Sequence, residues 1–237
     1  MVPRRMCHIW IGPHPAPRDW MESWRTKHPD REYRLYDNDY LLSRRFRTQN
    51  LVNEYCRRGK WAGVSDLMRY EILYEDGGFI AEADSVCLNP VDELLTDDTT
   101  YTVYELPEGR TGMMSPFLAS VPCRPVLKAV IDRLVDARPA ELNDPWHSTG
   151  TGFLRRFFAE NPILKRDLHV FPSHYFIPRH YKGDVYQGTD RIYAEQMWGT
   201  TTKSYDFRKS ATAIYKAASK QRSETLVAEL VSRYPAS

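Results

Sequence analysis

Long apolar runs are missing from this sequence, and none approaches the roughly 20 residues that a membrane-spanning helix needs. The first residues lead into a polar, tryptophan-containing stretch instead of the apolar core of a secretion signal. Cysteine is scarce, with four residues in 237 and no CxxC spacing, which excludes a disulfide framework and a cysteine-rich metal site. We therefore expect a reduced, cytoplasmic protein without a transmembrane segment.

An excess of charge of one sign is also missing. The chain has 33 Lys and Arg against 31 Asp and Glu, for a net charge of +2, so we expect no nucleic acid partner. The motifs GxGxxG, GxxxxGK[ST] and GxSxG do not occur, which excludes the commonest dinucleotide, P-loop and hydrolase sites. Hydrophobic residues make up 42% of the chain, enough for an ordinary globular core.

Strand-like and helix-like segments alternate through the first half of the chain. This alternation predicts one α/β domain with a mainly parallel sheet. Short apolar runs predict strands at 6–12, 32–36, 79–83, 101–106 and 169–171, and helical periodicity predicts helices at 20–28, 64–76, 125–137, 152–160 and 223–234. Asp39 is the predicted cap of a helix that starts at residue 40, Ser65 or Asp66 caps the helix at 64–76, and Gly77 and Gly78 end it.

Two carboxylates lie at the C-terminal end of the predicted strand at 79–83. Glu82 and Asp84 are two residues apart, so on an extended strand both side chains would point to the same side. Ligands of open α/β sheets bind outside the carboxyl ends of the strands. Paired carboxylates there suit a hard divalent cation with open positions for a diphosphate. An isolated Glu-x-Asp triplet is more often a solvated acidic turn, so its neighbours in the sequence decide between the two interpretations.

Those neighbours form an ordered set of motifs. Residues 63–70 read GVSDLMRY, Gly77 and Gly78 follow, and Glu82-Ala83-Asp84 comes next. This order resembles the signature of glycosyltransferase family 32, in which Ala/Gly-x-Ser-Asp-x-x-Arg-Tyr precedes a Gly-Gly pair and a DxD motif. The HIWIG run at 8–12 resembles the opening strand of that family. Similar elements occur in the glucosyltransferase domains of large clostridial toxins. The resemblance is strong over 7–86 and weak beyond.

The resemblance implies a GT-A type, Rossmann-like single domain over 1–237, with a nucleotide-sugar-binding half at 1–120 and an acceptor-side, C-terminal helical half at 121–237. It also implies a metal-dependent hexosyltransferase that uses a UDP- or GDP-sugar donor and a glycan or protein acceptor, with retention at the anomeric carbon. The implied cofactor is a divalent metal, Mn²⁺ or Mg²⁺.

The resemblance further assigns roles to individual residues. Asp66 and Arg69 are the implied catalytic residues, because they would contact the donor sugar and diphosphate. The implied substrate-binding residues are Trp10, Tyr36, Asp66, Arg69, Glu82, Ser115 and Trp198, and the implied metal ligands are Glu82, Asp84 and Gln196. Two simpler interpretations stay open: Asp66 and Arg69 could form an ion pair on a helix surface, and Trp10 could pack in the core.

The chain departs from the family pattern at three of these positions. Glu82 replaces the first Asp of the DxD motif, and Ser115 stands where relatives commonly have Asn. Gln196 replaces the His of a Tyr-Ala-x-His-x-Trp element, and a neutral amide is a poorer ligand for a transition metal than imidazole. These departures motivate an alternative, a degenerate nucleotide-sugar-binding protein with little or no transferase activity, and a further one, a scaffold that keeps only the fold.

One further candidate is the run Thr149-Gly150-Thr151-Gly152, which precedes the predicted helix at 152–160. Backbone N–H groups at a helix start could bind an anion such as phosphate. An ordinary loop at the start of a helix is an equally good interpretation.

Overall fold

The computed structural model describes residues 1–106, 113–116, 118–205 and 212–235. Its strands are β1 (Arg5–Ile9), β2 (Glu32–Tyr36), β3 (Gly78–Ala81), β4 (Ser85–Cys87), β5 (Thr100–Val103), β6 (Ala119–Ser120), β7 (Leu168–Phe171) and β8 (Ala194–Gln196). Its α-helices are α1 (Arg18–Lys27), α2 (Asn38–Ser43), α3 (Gln49–Arg57), α4 (Trp61–Glu75), α5 (Pro125–Val135), α6 (Pro145–Ser148), α7 (Thr151–Glu160), α8 (Pro162–Lys165) and α9 (Ala213–Arg233).

Six strands form the central sheet in the order β2-β1-β3-β6-β5-β7. β1 runs parallel to β2 and β3, and β5 runs parallel to β7, whereas the short β6 is antiparallel to both of its neighbours. Because β6 reverses direction between β3 and β5, the other five strands all point the same way. The predicted α/β architecture with a mainly parallel sheet is therefore confirmed.

Both faces of the sheet are covered. Alternate residues of a strand point to opposite faces, and Cys7 and Ile80 belong to one hydrophobic cluster while Met6 and Phe79 belong to the other. The first cluster contains residues of α3, α4, α5 and α7, and the second includes Trp24 of α1. Burial on both faces explains why β1 and β3 read as short continuous apolar runs in the sequence.

The starts of three helices differ from the sequence predictions. Asp37, and not Asp39, caps α2: its carboxylate accepts hydrogen bonds from the backbone N–H groups of residues 39 and 40. α4 begins at Trp61, so Ser65 and Asp66 lie inside the helix and cap nothing. α9 begins at residue 213, ten residues before the predicted start. The sequence did not predict these first turns, because they are mostly exposed and carry no apolar stripe.

Two glycines carry the chain from α4 into β3. Gly77 has a φ of +64° and Gly78 a φ of +104°, a backbone region that L side chains rarely adopt. A Cβ atom on Gly77 would also lie 2.7 Å from the carbonyl oxygen of Ser120 and 2.8 Å from Cδ of Pro122. This tight turn fixes where β3 starts, and with it the position of the carboxylates that follow the strand.

Gly77→Ala should therefore destabilise the protein more than Gly59→Ala. Gly59 has the same φ of +64°, but nothing lies within 4 Å of its Cβ position. Both variants should lose about 1 kcal/mol from the left-handed backbone, and Gly77→Ala should lose about 1–3 kcal/mol more from overpacking. Urea unfolding of the two variants measures the difference, and equal losses would contradict the role assigned to Gly77.

Candidate active site

A cavity of about 780 Å³ opens where β1, β3 and β5 end. Trp10 follows β1, Glu82 and Asp84 follow β3, and Glu105 follows β5, and all four line this cavity. These strands run in the same direction, so their carboxyl ends meet at one edge of the sheet, the usual ligand site of α/β folds. The cavity volume lies within the range of small-molecule sites.

The structure brings together all but one of the residues that the sequence predicted for the site. The residues of that set that line the cavity are Trp10, Asp66, Arg69, Glu82, Asp84, Ser115, Gln196 and Trp198. Trp10 and Asp84 thus lie on the same cavity and not on opposite faces of the molecule. Residues from both segments distinguished in the sequence, 1–120 and 121–237, line the cavity.

Tyr36 is the exception, because its side chain lies outside the cavity lining. It is fully buried, and its hydroxyl donates a hydrogen bond to Oδ2 of Asp76 at 3.4 Å. Its backbone carbonyl accepts a hydrogen bond from the Trp10 N–H at 2.9 Å. The end of β2 therefore supports the tryptophan through the backbone, whereas the Tyr36 side chain is not among the residues that line the cavity.

Trp10 is a fixed part of the cavity wall. Its indole Nε1–H donates to the carbonyl oxygen of His14 at 2.8 Å, and its ring meets the ring of Tyr205 edge-on with centroids 5.3 Å apart. The indole is only partly buried. The core-packing interpretation therefore does not describe this residue, and its ring is available for stacking.

Arg69 is buried, with 4% of the residue exposed. Its Nη1 donates to the carbonyl oxygen of Ile80 at 3.0 Å, and its Nη2 forms an ion pair with Oε1 of Glu82 at 2.8 Å. The guanidinium thereby joins α4 to the end of β3 and to the turn that follows it. A buried charge needs such partners, and the surface ion pair considered from the sequence is not what this residue forms.

Asp66 lies one helical turn before Arg69 on the same face of α4. Its Oδ2 accepts a hydrogen bond from the hydroxyl of Thr149 at 2.8 Å. Burial raises the pKa of the Asp66 carboxyl to about 7, although the Thr149 hydrogen bond and the charge of Arg69 act in the opposite direction. This carboxyl therefore titrates near neutral pH.

Asp84 joins the acidic turn, which comprises residues 82–84 between β3 and β4, to the C-terminal part of the chain. Its Oδ1 accepts a hydrogen bond from Nε2 of Gln196 at 2.6 Å, and its Oδ2 accepts one from the backbone N–H of Gly199 at 2.9 Å. Burial, and then the negative charge of Glu82, raise the pKa of the Asp84 carboxyl to about 6. Both residues follow β3 in a turn and not on the strand itself, which ends at Ala81.

The segment that carries Gln196 is held in place by strand pairing. β4 and β8 form an antiparallel pair in which Ser85 lies opposite Gln196. Two residues later, Trp198 has a φ of +53°, and its Nε1–H donates to the carbonyl oxygen of Arg179 at 3.0 Å. The ring also packs edge-on against His180 at 4.9 Å. These contacts hold the indole in the wall beside the acidic turn.

The oxygen groups at this turn fit a hard divalent cation. Glu82 and Asp84 offer carboxylate oxygens, and the Gln196 side chain, whose nitrogen contacts Asp84, has a carbonyl oxygen that can also coordinate. Within the described part of the chain, no group of three or more His, Cys, Asp or Glu side chains forms a metal site by itself. The protein would thus supply a partial ligand set, which suits a cation that also binds a diphosphate.

Three contributors to this site have no strong signal in the sequence. Thr149 lies 83 residues from the aspartate that it contacts, and Gly199 lies 115 residues from its partner. Glu105 lines the cavity beyond the end of β5. Only their positions in the folded chain, and not local patterns, indicate that they belong to the site.

Two of the backbone amides considered for an anion site before α7 are not available to a ligand. The backbone N–H groups of Thr149 and Gly150 both donate to the carbonyl oxygen of Pro145, at 3.0 and 2.8 Å. These two amides are therefore used inside the protein. A sequence signal for this was present, because Asp144 followed by Pro145 is a typical cap and first residue of a helix, here the short α6.

Comparison with known proteins explains this set of residues. Residues 17–101 match the family model described as glycosyltransferase sugar-binding region containing DXD motif. The matched segment carries Asp66, Arg69, Glu82 and Asp84. This segment is similar to glycosyltransferase sugar-binding regions. The resemblance predicted from the sequence is confirmed for this segment, and with it the prediction of a glycosyltransferase.

Among solved structures, this chain is similar to one titled PaToxG Glycosyltransferase. The TM-score is 0.55 at 10% sequence identity, and the match covers 96% of this chain and 87% of that chain. At this identity the likeness concerns the fold, and the predicted GT-A type α/β fold agrees with it. None of the curated proteins matches the chain. No helix among the described residues is both long and apolar enough to cross a bilayer.

The raised pKa of Asp66 makes the stability of the ligand-free glycosyltransferase depend on pH. Because the folded-state pKa lies above the unfolded value, the stability from this group is present below about pH 4 and is lost as the pH rises through about 7. Relative to Asp66→Asn, the wild type should lose about 1 kcal/mol or more between pH 5 and pH 8. Thermal melts without donor and metal measure this difference.

Asp30→Asn, in an exposed turn, is the matched control and should show no such pH-dependent difference. If the melting temperatures of the wild type and Asp66→Asn stayed parallel from pH 5 to pH 8, Asp66 would not titrate in this range.

Proposed function

We propose that this glycosyltransferase moves a hexose from a nucleoside diphosphate sugar, with UDP or GDP as the nucleotide, to a hydroxyl group of a glycan or protein. The observation that supports this most is the convergence of Asp66, the Arg69–Glu82 pair and Asp84 on one cavity at the carboxyl ends of the strands. A sugar hydroxyl needs an acceptor such as a carboxylate, and a diphosphate needs positive charge. The cavity wall offers both, and most of these residues lie in the segment that matches the sugar-binding family model.

Asp66 is the proposed anchor of the donor sugar. Its Oδ2 is bonded to Thr149, so Oδ1 is the oxygen that would accept a sugar hydroxyl. Arg69 supplies a buried positive charge in the wall that the diphosphate would face, where low polarity strengthens electrostatic stabilisation of a leaving group. Trp10 is the proposed stacking surface for the base, because its indole is fixed and partly exposed.

Glu82, Asp84 and Gln196 are the proposed ligands of Mn²⁺ or Mg²⁺. When bound, such a cation neutralises the charge that develops on a departing diphosphate. Ser115 and Trp198 complete the proposed donor site, since both line the cavity beside these ligands. Retention at the anomeric carbon is part of the proposal through the family resemblance alone, and no residue is assigned as a nucleophile.

One observation favours the alternative, a nucleotide-sugar-binding protein with little or no transferase activity. The Gln196 amide nitrogen donates to Oδ1 of Asp84 at 2.6 Å. This hydrogen bond occupies a lone pair of Asp84, one of the proposed metal ligands. A histidine there, as in relatives, could coordinate a transition metal itself. Slow turnover despite tight donor binding would be the signature of this alternative.

A cytoplasmic location also stays part of the proposal. Cys7, Cys56, Cys87 and Cys123 are all free thiols, and burial raises the pKa of the first three to about 12. Unpaired thiols of this kind are typical of a reducing compartment.

Asp84→Ala should abolish metal-stimulated turnover, because it removes a carboxylate from the proposed cation site. Glu82→Asp should keep activity or raise it, since the shorter side chain restores the usual motif. The measurement is release of UDP or GDP from a panel of nucleotide hexoses, with a Mn²⁺ titration for each variant. The panel also identifies the donor.

Asp132→Ala is the matched control, because this exposed carboxylate on α5 only pairs with Lys128. Its turnover should equal that of the wild type. An Asp84→Ala variant with the turnover and Mn²⁺ dependence of the wild type would refute the metal assignment.

A further inference from the structure

Thr149 occupies the junction between α6 and α7 and is completely buried. Its backbone is held on both sides: its N–H donates to the carbonyl oxygen of Pro145 at 3.0 Å, and its carbonyl oxygen accepts a hydrogen bond from the Tyr70 hydroxyl. Its side-chain hydroxyl donates to Oδ2 of Asp66 at 2.8 Å. A residue held in this way presents its hydroxyl to the aspartate from a fixed position.

We propose that Thr149 is a positioning residue of the transferase: it holds the Asp66 carboxylate so that Oδ1 faces the donor sugar. This inference rests on the proposed function, in which Asp66 binds a hydroxyl of the donor. Thr149 itself contacts no substrate in this proposal.

Gly150 allows the junction between α6 and α7 to lie close to Asp66. A Cβ atom there would lie 3.3 Å from Oδ2 of Asp66 and 3.3 Å from Cα of Trp146. That distance is tighter than most real Cβ contacts, so a side chain would push the junction away from the aspartate. The Thr-Gly pair therefore works as a unit: the threonine provides the donor and the glycine provides the room.

The hydroxyl of Thr149 can satisfy either protonation state of the aspartate. It has one proton and two acceptors in reach, Oδ2 of Asp66 at 2.8 Å and the carbonyl oxygen of Pro145 at 3.2 Å. When Asp66 is ionised, the hydroxyl donates to it. When Asp66 is protonated, the hydroxyl can turn to Pro145 and accept the acid proton, because a hydroxyl both donates and accepts.

The surroundings of Asp66 show why this hydrogen bond matters. The positive charge of Arg69 favours the ionised carboxylate, and the negative charge of Glu82 disfavours it. The phenols of Tyr55 and Tyr70 also interact with the charge of Asp66, and they stay neutral because burial raises the pKa of both. Thr149 donates a hydrogen bond that lowers the pKa of Asp66, so its loss should shift the ionisation of Asp66 to higher pH.

The test compares Thr149→Val with Thr149→Ser. Valine keeps the shape of threonine without the hydroxyl, and serine keeps the hydroxyl. With the donor found in the nucleotide-release panel, kcat and KM are measured from pH 5.5 to pH 9. We expect Thr149→Val to lower kcat/KM about 10-fold at pH 7, which corresponds to about 1.4 kcal/mol, and to move the acid limb of the profile to higher pH.

The deficit of Thr149→Val should therefore shrink toward pH 9, and Thr149→Ser should stay within about 3-fold of the wild type. Thr48→Val is the matched control. Thr48 is buried and its hydroxyl donates to Oε1 of Glu71 at 2.7 Å, so the variant also removes a threonine–carboxylate bond, outside the residues that line the cavity. It should lower the melting temperature but leave the pH profile of kcat/KM unchanged.

Two results would overturn the inference. The first is a pH profile of kcat/KM in Thr149→Val that is identical to that of the wild type. The second is a loss of kcat/KM that is the same at every pH and the same in Thr149→Val and Thr48→Val, which is what a purely structural role predicts. A double-mutant cycle of Thr149→Val with Asp66→Asn, read from melting temperatures without donor, tests the contact independently of activity. If the wild type released no nucleotide from any donor while the cycle showed coupling, the proposed function would fail and the contact would remain.

Discussion

The ion pair between Arg69 and Glu82 sets the geometry on which the rest of the site depends. Arg69 is almost completely buried, and its guanidinium reaches both the Ile80 carbonyl oxygen and the Glu82 carboxylate. Removing Glu82 would leave the buried Arg69 charge without this carboxylate partner, which is unfavourable in a poorly solvated place. The pair therefore fixes the acidic turn after β3 relative to α4, and α4 carries Asp66 on the same face. Helix, strand end and turn behave as one rigid support for a ligand.

A second set of contacts brings the C-terminal part of the chain to this support. Asp84 accepts hydrogen bonds from Gln196 and Gly199, and the pairing of β4 with β8 holds the same segment from the side. Asp66, Glu82 and Asp84 thus share the cavity wall with Arg69, and burial raises the pKa of both aspartates. A wall with this charge distribution favours a cation together with a polar ligand, which is the chemistry that the proposed donor and metal provide.

The sequence predicted the parts of the molecule that are encoded locally. The period of apolar residues located most of the strands and helices, and the ordered run from Ser65 to Asp84 indicated the sugar-binding region from the residues alone.

Helix starts were less predictable, because several short polar residues compete for the cap: Asp37 caps α2 although Asp39 has the same side chain. Tyr36 was assigned to the ligand site through the family resemblance, but its hydroxyl donates to Asp76 and its side chain lies outside the cavity lining. Thr149 was noted in the sequence only as part of a run that could bind an anion, and its contact with Asp66 could not be predicted because the two residues lie 83 positions apart.

The central claim is that the acidic turn held by Arg69 binds a cation together with the diphosphate of a donor. Isothermal titration of the nucleotide hexose selected by the donor panel, once with Mn²⁺ and once with a chelator, tests it most directly. We expect Mn²⁺ to tighten donor binding by at least about 10-fold, within the range of coupling usual between two ligands on one protein. The same donor affinity with Mn²⁺ and with chelator would contradict the claim.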